Sequence, residues 1–352
     1  PLTGRVASVG IRQMAGRFIL AEQPQEGAAA LADLWRRGVA ASVDLLGEAT
    51  VTPAEADRYA ARCDEALTIL SREAAGWPAQ PILEADSAGP LPRVNLSVKV
   101  TALTPMIREA EPELGVADAA PRLRHLLRRA RDLGAHLHVD IESMASRETI
   151  MRLVLSLLAE DEFRAGPSAG IVLQAYLTDS DEVAAEVLDW ARRTPREHPL
   201  TIRLVKGAYW DHEVVEARQT GWRPPVFETK ADTDRNFERL TRTLLDAHRD
   251  GAPVRLAVAS HNLRSIAHAI AYARSLGLPD RDLELQVLRG LGDDLHDALA
   301  AHGLRVRAYC PIGDLVAGMA YLVRRLLENT ANDSFLATRA GGADLDTLLA
   351  AP

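Results

Sequence analysis

Only two cysteines occur in 352 residues, Cys63 and Cys310, far apart and without the spacing of a metal site. A disulfide framework is therefore not expected, a reducing compartment is, and Cys310 should be buried where a strand ends. The chain has no surplus of basic residues: 41 Lys and Arg stand against 49 Asp and Glu, a net charge of −8. With no cationic stripe to displace counterions from phosphates, no nucleic-acid partner is expected. Apolar runs of the eighteen or so residues that span a bilayer are missing, as is a charged start leading into an apolar segment. Solution or a membrane surface is the expected location. Nor does a glycine-rich turn follow the first candidate strand, which argues against a doubly wound dinucleotide-binding sheet.

What is present is a regular alternation, in a chain 47% hydrophobic and long enough for one large core. Apolar, β-branched runs at 39–46, 94–100, 136–141, 170–175, 201–206, 254–259, 283–288 and 304–309 read as strands. Between them, Ala-, Leu- and Arg-rich patterns read as helices over 54–72, 119–133, 147–160, 181–193, 232–249, 263–276, 292–301 and 314–330. Strand then helix, eight times, predicts an α/β (β/α)8 barrel of the TIM type. Residues 1–38 are expected to form an N-terminal helical arm, 39–336 the barrel, and 337–352 a tail or linker. The Pro/Gly-rich stretch 73–92 reads as a loop excursion, and both ends are expected to be dispensable for chemistry.

Chemistry in such a barrel belongs at the carboxyl ends of the strands. The residues there are Asp44 and Glu48, Lys99, Asp140 and Glu142, Gln174, Arg203 and Lys206, Ser260 and His261, Gln286 and Leu288, and Tyr309. Arg203, inside an otherwise apolar strand, requires a carboxylate or an electron-rich ligand beside it. On the last helix Tyr321, Arg324, Arg325 and Glu328 share one face, with Leu322, Val323, Leu326 and Leu327 on the other; the polar face suits an anionic group. His136 and His138 resemble the paired histidines of a metal-dependent hydrolase, yet only His261 stands ready as a further ligand, so no metal is expected and His138 reads as interior packing. Lys206 admits a Schiff-base aldolase reading, while the aromatic pair Tyr209 and Trp210 after it suggests a segment wrapped around a flat ligand. The Ser260-His261-Asn262 triplet opens a helix whose N–H groups can meet phosphate.

RLVKGAYWD (203–211), SHN (260–262) and AYLVRRLLENTANDSF (320–335) together resemble the proline dehydrogenase family, especially the flavoprotein domain of bacterial bifunctional proline utilisation enzymes. SVDLLGE (42–48), NLSVK (95–99) and QAY (174–176) are similar in the same order, so the likeness covers nearly all of the chain from about residue 40. The resemblance implies a distorted barrel holding FAD, with a last helix over its mouth. It further implies oxidation of L-proline to Δ1-pyrroline-5-carboxylate by hydride transfer to flavin N5, with a quinone as electron acceptor.

Position by position, the same resemblance assigns Arg324 and Arg325 to the proline carboxylate beside Lys99 and Asp140, and Leu288, Tyr309 and Tyr321 to the proline ring. It gives Glu48 to a gate with Arg324, and Arg203 to the neighbourhood of the isoalloxazine. Gln174, Val205, Lys206, Gly207, Ala208, Trp210, Lys230, Thr233, His261, Asn262, Glu328, Ser334 and Phe335 match positions that hold FAD. Ile141, Ser143 and Arg289 depart from the family pattern. A cytoplasmic protein with peripheral contact at the inner membrane face, fused or coupled to a pyrroline-5-carboxylate (glutamate semialdehyde) dehydrogenase, is the remaining implication. The alternatives are the Lys206 aldolase and a catalytically silent barrel.

Overall fold

Eight parallel strands close into a barrel in the computed structural model, which describes residues 16–47, 50–314, 318–330, 342 and 344–352, with backbone alone at 320, 326–330 and 345. The strands are β1 Val39–Leu45, β2 Asn95–Lys99, β3 His136–Asp140, β4 Ser168–Gln174, β5 Leu200–Val205, β6 Val254–Ala259, β7 Leu283–Leu288 and β8 Arg305–Ile312. Each pairs with its successor, and β8 returns to β1 in register from Val39↔Val306 to Leu45↔Ile312. All eight expected strands are present. β8 runs three residues past its expected end at 309, so Cys310 lies within it, fully buried.

The helices are α1 Pro24–Arg36, α2 Pro53–Ala74, α3 Pro112–Asp132, α4 Met144–Leu158, α5 Ser180–Arg193, α6 Trp210–Thr220, α7 Lys230–Arg249, α8 Leu263–Ser275, α9 Asp293–Ala301 and α10 Met319–Thr330. Their starts follow local chemistry. Thr52 caps α2 in a reciprocal box with Glu55, with Pro53 at the first helical position, and Thr229 and Asn262 cap α7 and α8. Apolar spacing aims each helix at the wall, as with Ala119, Leu123, Leu126, Leu127 and Ala130 of α3. α6 was not expected. Only Glu213, Val214 and Ala217 of its eleven residues are buried, too little for periodicity to show, and Gly221 in the left-handed region (φ 73°) ends it.

One expectation changes on the outside of the barrel, the loop at 73–92. The N-terminal arm is helical over Pro24–Arg36 and packs on the barrel: Phe18 and Ile19 pack with Leu46, Tyr321 and Leu322, Leu20 N–H donates to Pro311 O at 2.8 Å, and Leu31 and Leu34 join the core. Residues 73–92 are no free loop, since a helical turn Pro81–Glu84 and the strand pair Ala85–Asp86 and Gly89–Pro90 lie within them. Trp35 Nε1 donates to Pro78 O at 2.7 Å, and the Trp35 ring packs at a 37° tilt against Trp77 with centroids 5.2 Å apart, pinning that segment. Near the C-terminus, Leu345–Leu349 is helical and Leu349 O accepts from Arg264 of α8 at 3.2 Å.

The lumen is filled differently from the apolar layers usual in barrels of this type. Leu137 and Val139 of β3 join the apolar layer between wall and helices, whereas His136, His138 and Asp140 face the interior, where Asp140 reaches Arg203 of β5 and Tyr309 of β8, His136 meets Ser168 of the adjacent β4, and His138 bonds His136. The same alternation turns Ser42, Asn95, Ser97, Arg203, Arg255, Glu284, Gln286, Arg305 and Arg307 inward. Charges this deep cost several kcal/mol each unless paired. At the amino-terminal base, Asp86 from the 73–92 segment accepts Arg255 Nε at 2.6 Å and Arg305 Nη1 at 3.2 Å.

Burial alone would raise the Asp86 pKa, but the Arg255 hydrogen bonds and charge, with Arg305, bring it below the ordinary carboxylate value. A depressed folded-state pKa gives stability that is complete above the unfolded value near 3.9 and is lost as pH falls through the folded value. Asp86→Ala should cost about 3 to 5 kcal/mol at pH 7 by leaving two buried guanidiniums uncompensated. Urea denaturation should also show a smaller loss of stability below about pH 4 in the variant than in the parent. An unchanged urea midpoint would contradict the assignment.

Candidate active site

At the carboxyl end of the barrel, strand register puts Lys99 beside Asp140 and Leu288 beside Tyr309. Asp140 is the hub. Its Oδ1 accepts Arg203 Nη1 at 2.5 Å and Ser97 Oγ at 2.8 Å, its Oδ2 accepts Tyr309 Oη at 2.7 Å, and Lys99 Nζ stands 3.9 Å away. Arg203 is held on every side: Nε donates to Gln286 Oε1 at 2.7 Å, Nη1 to Ser97 Oγ at 3.2 Å and Nη2 to Ser42 Oγ at 3.3 Å, and its Cζ lies 5.3 Å from the centre of the Tyr309 ring. The carboxylate partner expected for this buried cation is therefore Asp140. Lys99 Nζ is also paired with Asp44.

The charge states follow from these contacts. Burial works against both members of the Lys99–Asp44 pair, raising Asp44 and depressing Lys99, yet Asp44 and Asp140 raise Lys99 further, so its ammonium is retained. Burial, then the Asp140 charge, drive the Tyr309 phenol well above its usual range, which keeps it a hydrogen-bond donor. Burial and next the charge of Arg325 push His261 down to about 4, and its neutral Nε2 accepts Leu288 N–H at 2.9 Å.

Arg324 Cζ lies 4.9 Å from the Tyr209 ring centre, which brings α10 against the segment that follows β5. Arg325 is buried and its Cζ lies 5.1 Å from the Tyr321 ring centre. The expected division of α10 into a polar and an apolar face holds only in part. Leu322 is buried with Tyr321 whereas Val323 is exposed, because Phe18, Ile19 and Leu46 form the seat that receives this helix. Glu48, Ser334, Phe335 and the Glu328 side chain lie outside the described residues, and with them the Glu48–Arg324 gate.

The positions expected to hold a flavin gather around the end of β5 and the start of α7. Gly207 follows β5 at φ 135°, and a Cβ there would stand 2.4 Å from the Tyr176 ring, so only glycine fits between Val205, Lys206 and the exposed Ala208. Lys206 and Lys230 both bond Asp234 of α7, and Lys206 Nζ lies 5.6 Å from the Phe237 ring centre. Burial lowers the Lys206 pKa against the pull of Asp234, but the side chain lies against α7, away from the Asp140 hub where a Schiff base would meet substrate. Thr233 is buried in the first turn of α7, and Trp210 Nε1 donates to Phe227 O at 2.8 Å. Gln174 Nε2 donates to Glu142 O at 2.9 Å, while its buried Oε1 has no partner among the described residues. The Asn262 side chain accepts the N–H groups of Arg264 and Ser265, so those amides at the start of α8 are capped internally.

Sequence reasoning missed Ser42 and Ser97, which with Gln286 fix Arg203, and it did not foresee the part of Tyr209, which donates to Glu142 Oε1 at 3.3 Å while seating Arg324. The RLVKGAYW motif contained Tyr209, but nothing in the pattern told that its ring meets α10. Among the described residues no group of His, Cys, Asp and Glu is arranged to hold a metal; His136 and His138 bond each other at 3.3 Å. Ile141 is buried, Ser143 precedes α4, and Arg289 N–H donates to Tyr309 O at 3.1 Å.

Comparison with known proteins agrees with this arrangement. The family profile described as "Proline dehydrogenase" matches residues 28–338. "Bifunctional protein PutA" of Klebsiella aerogenes is 31% identical over 360 residues, covering 100% of this chain and 26% of that protein. The chain thus spans about a quarter of the length of such relatives. "Proline dehydrogenase" of Deinococcus radiodurans is 28% identical across 96% of this chain and 93% of its own length. In structure, proline utilization A from Bdellovibrio bacteriovorus, inactivated by N-propargylglycine, superposes with a TM-score of 0.95 at 37% identity, covering 99% of this chain and 36% of that one. A closed barrel of parallel strands, cations around a carboxylate hub at its mouth and a double-arginine helix above them thus accompany matches in sequence and structure alike, and this chain belongs to the proline dehydrogenase family.

Proposed function

We propose that this chain oxidises L-proline to Δ1-pyrroline-5-carboxylate with FAD as cofactor and a quinone as electron acceptor, the first step of proline catabolism. The observation that carries the reading is the pair Arg324 and Arg325 on α10, one stacked on Tyr209, which follows β5, and the other buried against the Tyr321 ring. Two guanidiniums set above a mouth that already holds Lys99 and Arg203 make a receptor for a small carboxylate. Tyr309, Leu288 and Tyr321 supply the apolar walls for a ring of five atoms.

The residues at the ends of β4 and β5 fit a flavin on two counts: the buried Oε1 of Gln174, without a partner among the described residues, offers an acceptor, and the glycine step at Gly207 keeps the backbone open beside Tyr176. Gln174, Arg203, Val205, Lys206, Gly207, Ala208, Trp210, Lys230, Thr233, His261 and Asn262 would hold it, with Glu328, Ser334 and Phe335 completing the set. When bound, FAD accepts the hydride at N5 from the proline carbon next to nitrogen and relays the electrons onward. The protein's share is orientation and charge. Arg324 and Arg325 fix the carboxylate, Lys99 stays an ammonium and so donates rather than accepts protons, and Asp140 holds Tyr309 and Arg203 in place. A cytoplasmic protein touching the inner membrane face, joined or coupled to a pyrroline-5-carboxylate dehydrogenase, completes the reading.

Purified protein supplied with FAD should be yellow and should bleach with proline in the absence of oxygen; persistent failure to take up flavin would overturn the proposal. Arg325→Met should raise the proline KM roughly ten- to hundredfold, the worth of a charge-assisted hydrogen bond, with little change in the flavin spectrum. An unchanged KM would return this helix to a mere lid. For substrate choice, the Tyr309 ring is clamped by its Asp140 hydrogen bond and by Arg203, so a hydroxyl at C4 of the substrate meets a surface that does not yield. Proline should exceed 4-hydroxyproline in kcat/KM by about 1 to 3 kcal/mol. Tyr309→Ser should narrow that ratio while weakening proline, and equal use of both substrates by the parent enzyme would defeat the assignment.

A further inference from the structure

At the opposite end of the barrel from the double-arginine helix lies a cavity of about 20 Å3, walled by Asn95, His136, Thr201, Arg255, Arg305 and Glu284. Three guanidiniums meet there, those of Arg255, Arg305 and Arg307, all buried. Two carboxylates answer them. Asp86 takes Arg255 at 2.6 and 3.1 Å and Arg305 at 3.2 Å, and Glu284 takes Arg307 at 2.9 and 3.0 Å. Arg307 is saturated, since its Nη1 donates to Ala41 O at 2.9 Å. The other two are not: Arg255 Nη1 and Arg305 Nε have no hydrogen-bond partner among the described residues, and the nearest carboxylate oxygen to Arg305 Nε, from Glu284, is 3.8 Å away. Asp282 does not join them, as it accepts Ser87 N–H at 2.8 Å and faces His248 at 3.7 Å.

Among the three guanidiniums and two carboxylates bonded together here one positive charge is in excess, Leu91 and Pro92 complete the cavity's walls, and two buried N–H donors have no partner among the described residues. A water molecule needs roughly 10 to 15 Å3, so there is room for one, and water could accept both donors while leaving the charge uncompensated. A monatomic anion does both. Tetrahedral oxyanions are too large. We propose that this cavity at the base of the barrel is a chloride site, with Arg255 and Arg305 as its principal ligands. His136 adds no charge to the balance, because burial and then Arg307 push its pKa down to about 3. The site is remote from the mouth and independent of the reaction assigned above.

Thermal unfolding of the FAD-supplemented protein in sodium chloride, against sodium gluconate at equal ionic strength and pH, tests this. Chloride should raise Tm saturably, by about 2 to 5 °C at concentrations well above the dissociation constant, and bromide should act likewise. Thr201→Leu, which fills the cavity without touching an ion pair, should abolish the difference between the two salts. Equal Tm in chloride and gluconate would overturn the proposal, and so would a chloride effect that survives in the variant, since the anion would then bind elsewhere. If the variant does not fold, crystals of the parent protein grown in bromide decide: an anomalous peak between Arg255 and Arg305 is expected, and ordinary water density there overturns the assignment.

Discussion

The carboxylate of Asp140 is the point on which the upper half of the barrel hangs. It receives Ser97 of β2, Arg203 of β5 and Tyr309 of β8, three strands that are not neighbours in the sheet. Such cross-lumen bonds set the rotation of each strand about its own axis, which ladder hydrogen bonds alone leave looser. Arg203 could not be buried without this partner, and Tyr309 would have no fixed ring plane. The positions of Arg203 and Tyr309 at the mouth are thus determined from within the lumen rather than from the loops above it.

Much of the architecture was legible because each strand carries an apolar, β-branched run and a helical pattern follows it. The eight strands emerged from those runs, and the polar residues at their ends include Lys99, Asp140, Arg203 and Tyr309. Partners were another matter. Ser42, Ser97 and Gln286 are ordinary polar residues in sequence, and only closure of the barrel makes them ligands of one guanidinium. The 73–92 segment misled for a similar reason: its Pro and Gly content speaks of irregular backbone, while its role rests on Asp86 meeting an arginine 169 residues away. On α10, periodicity could place Tyr321 and Arg325 together but could not tell that Leu322 faces inward with them, since the seat is built from Phe18 and Ile19 at the far end of the chain.

Residues beyond the barrel proper therefore bear on its mouth. Leu20 N–H bonds Pro311 O, Gly313 N–H bonds Ala21 O at 2.9 Å, and the adjoining Phe18 and Ile19 support Tyr321 and Leu322. The chain's early residues thus bridge the last strand to the helix that covers the site.

The polar lumen also governs how such a barrel can drift in evolution. Where the interior is layered with valine and leucine, one residue can be exchanged for a near relative at modest cost. Here many inward positions are half of a charge pair or a hydrogen bond, so a single replacement strands its partner in the barrel interior. Acceptable change must then come as coordinated replacements, Glu284 with Arg307 or Asp86 with Arg255, with strong coupling between the two sites. Helix-facing positions such as Leu137 and Val139 are free of that restriction. Divergence within this fold is accordingly expected to proceed by independent steps on the outer face of the wall and by correlated jumps along its axis.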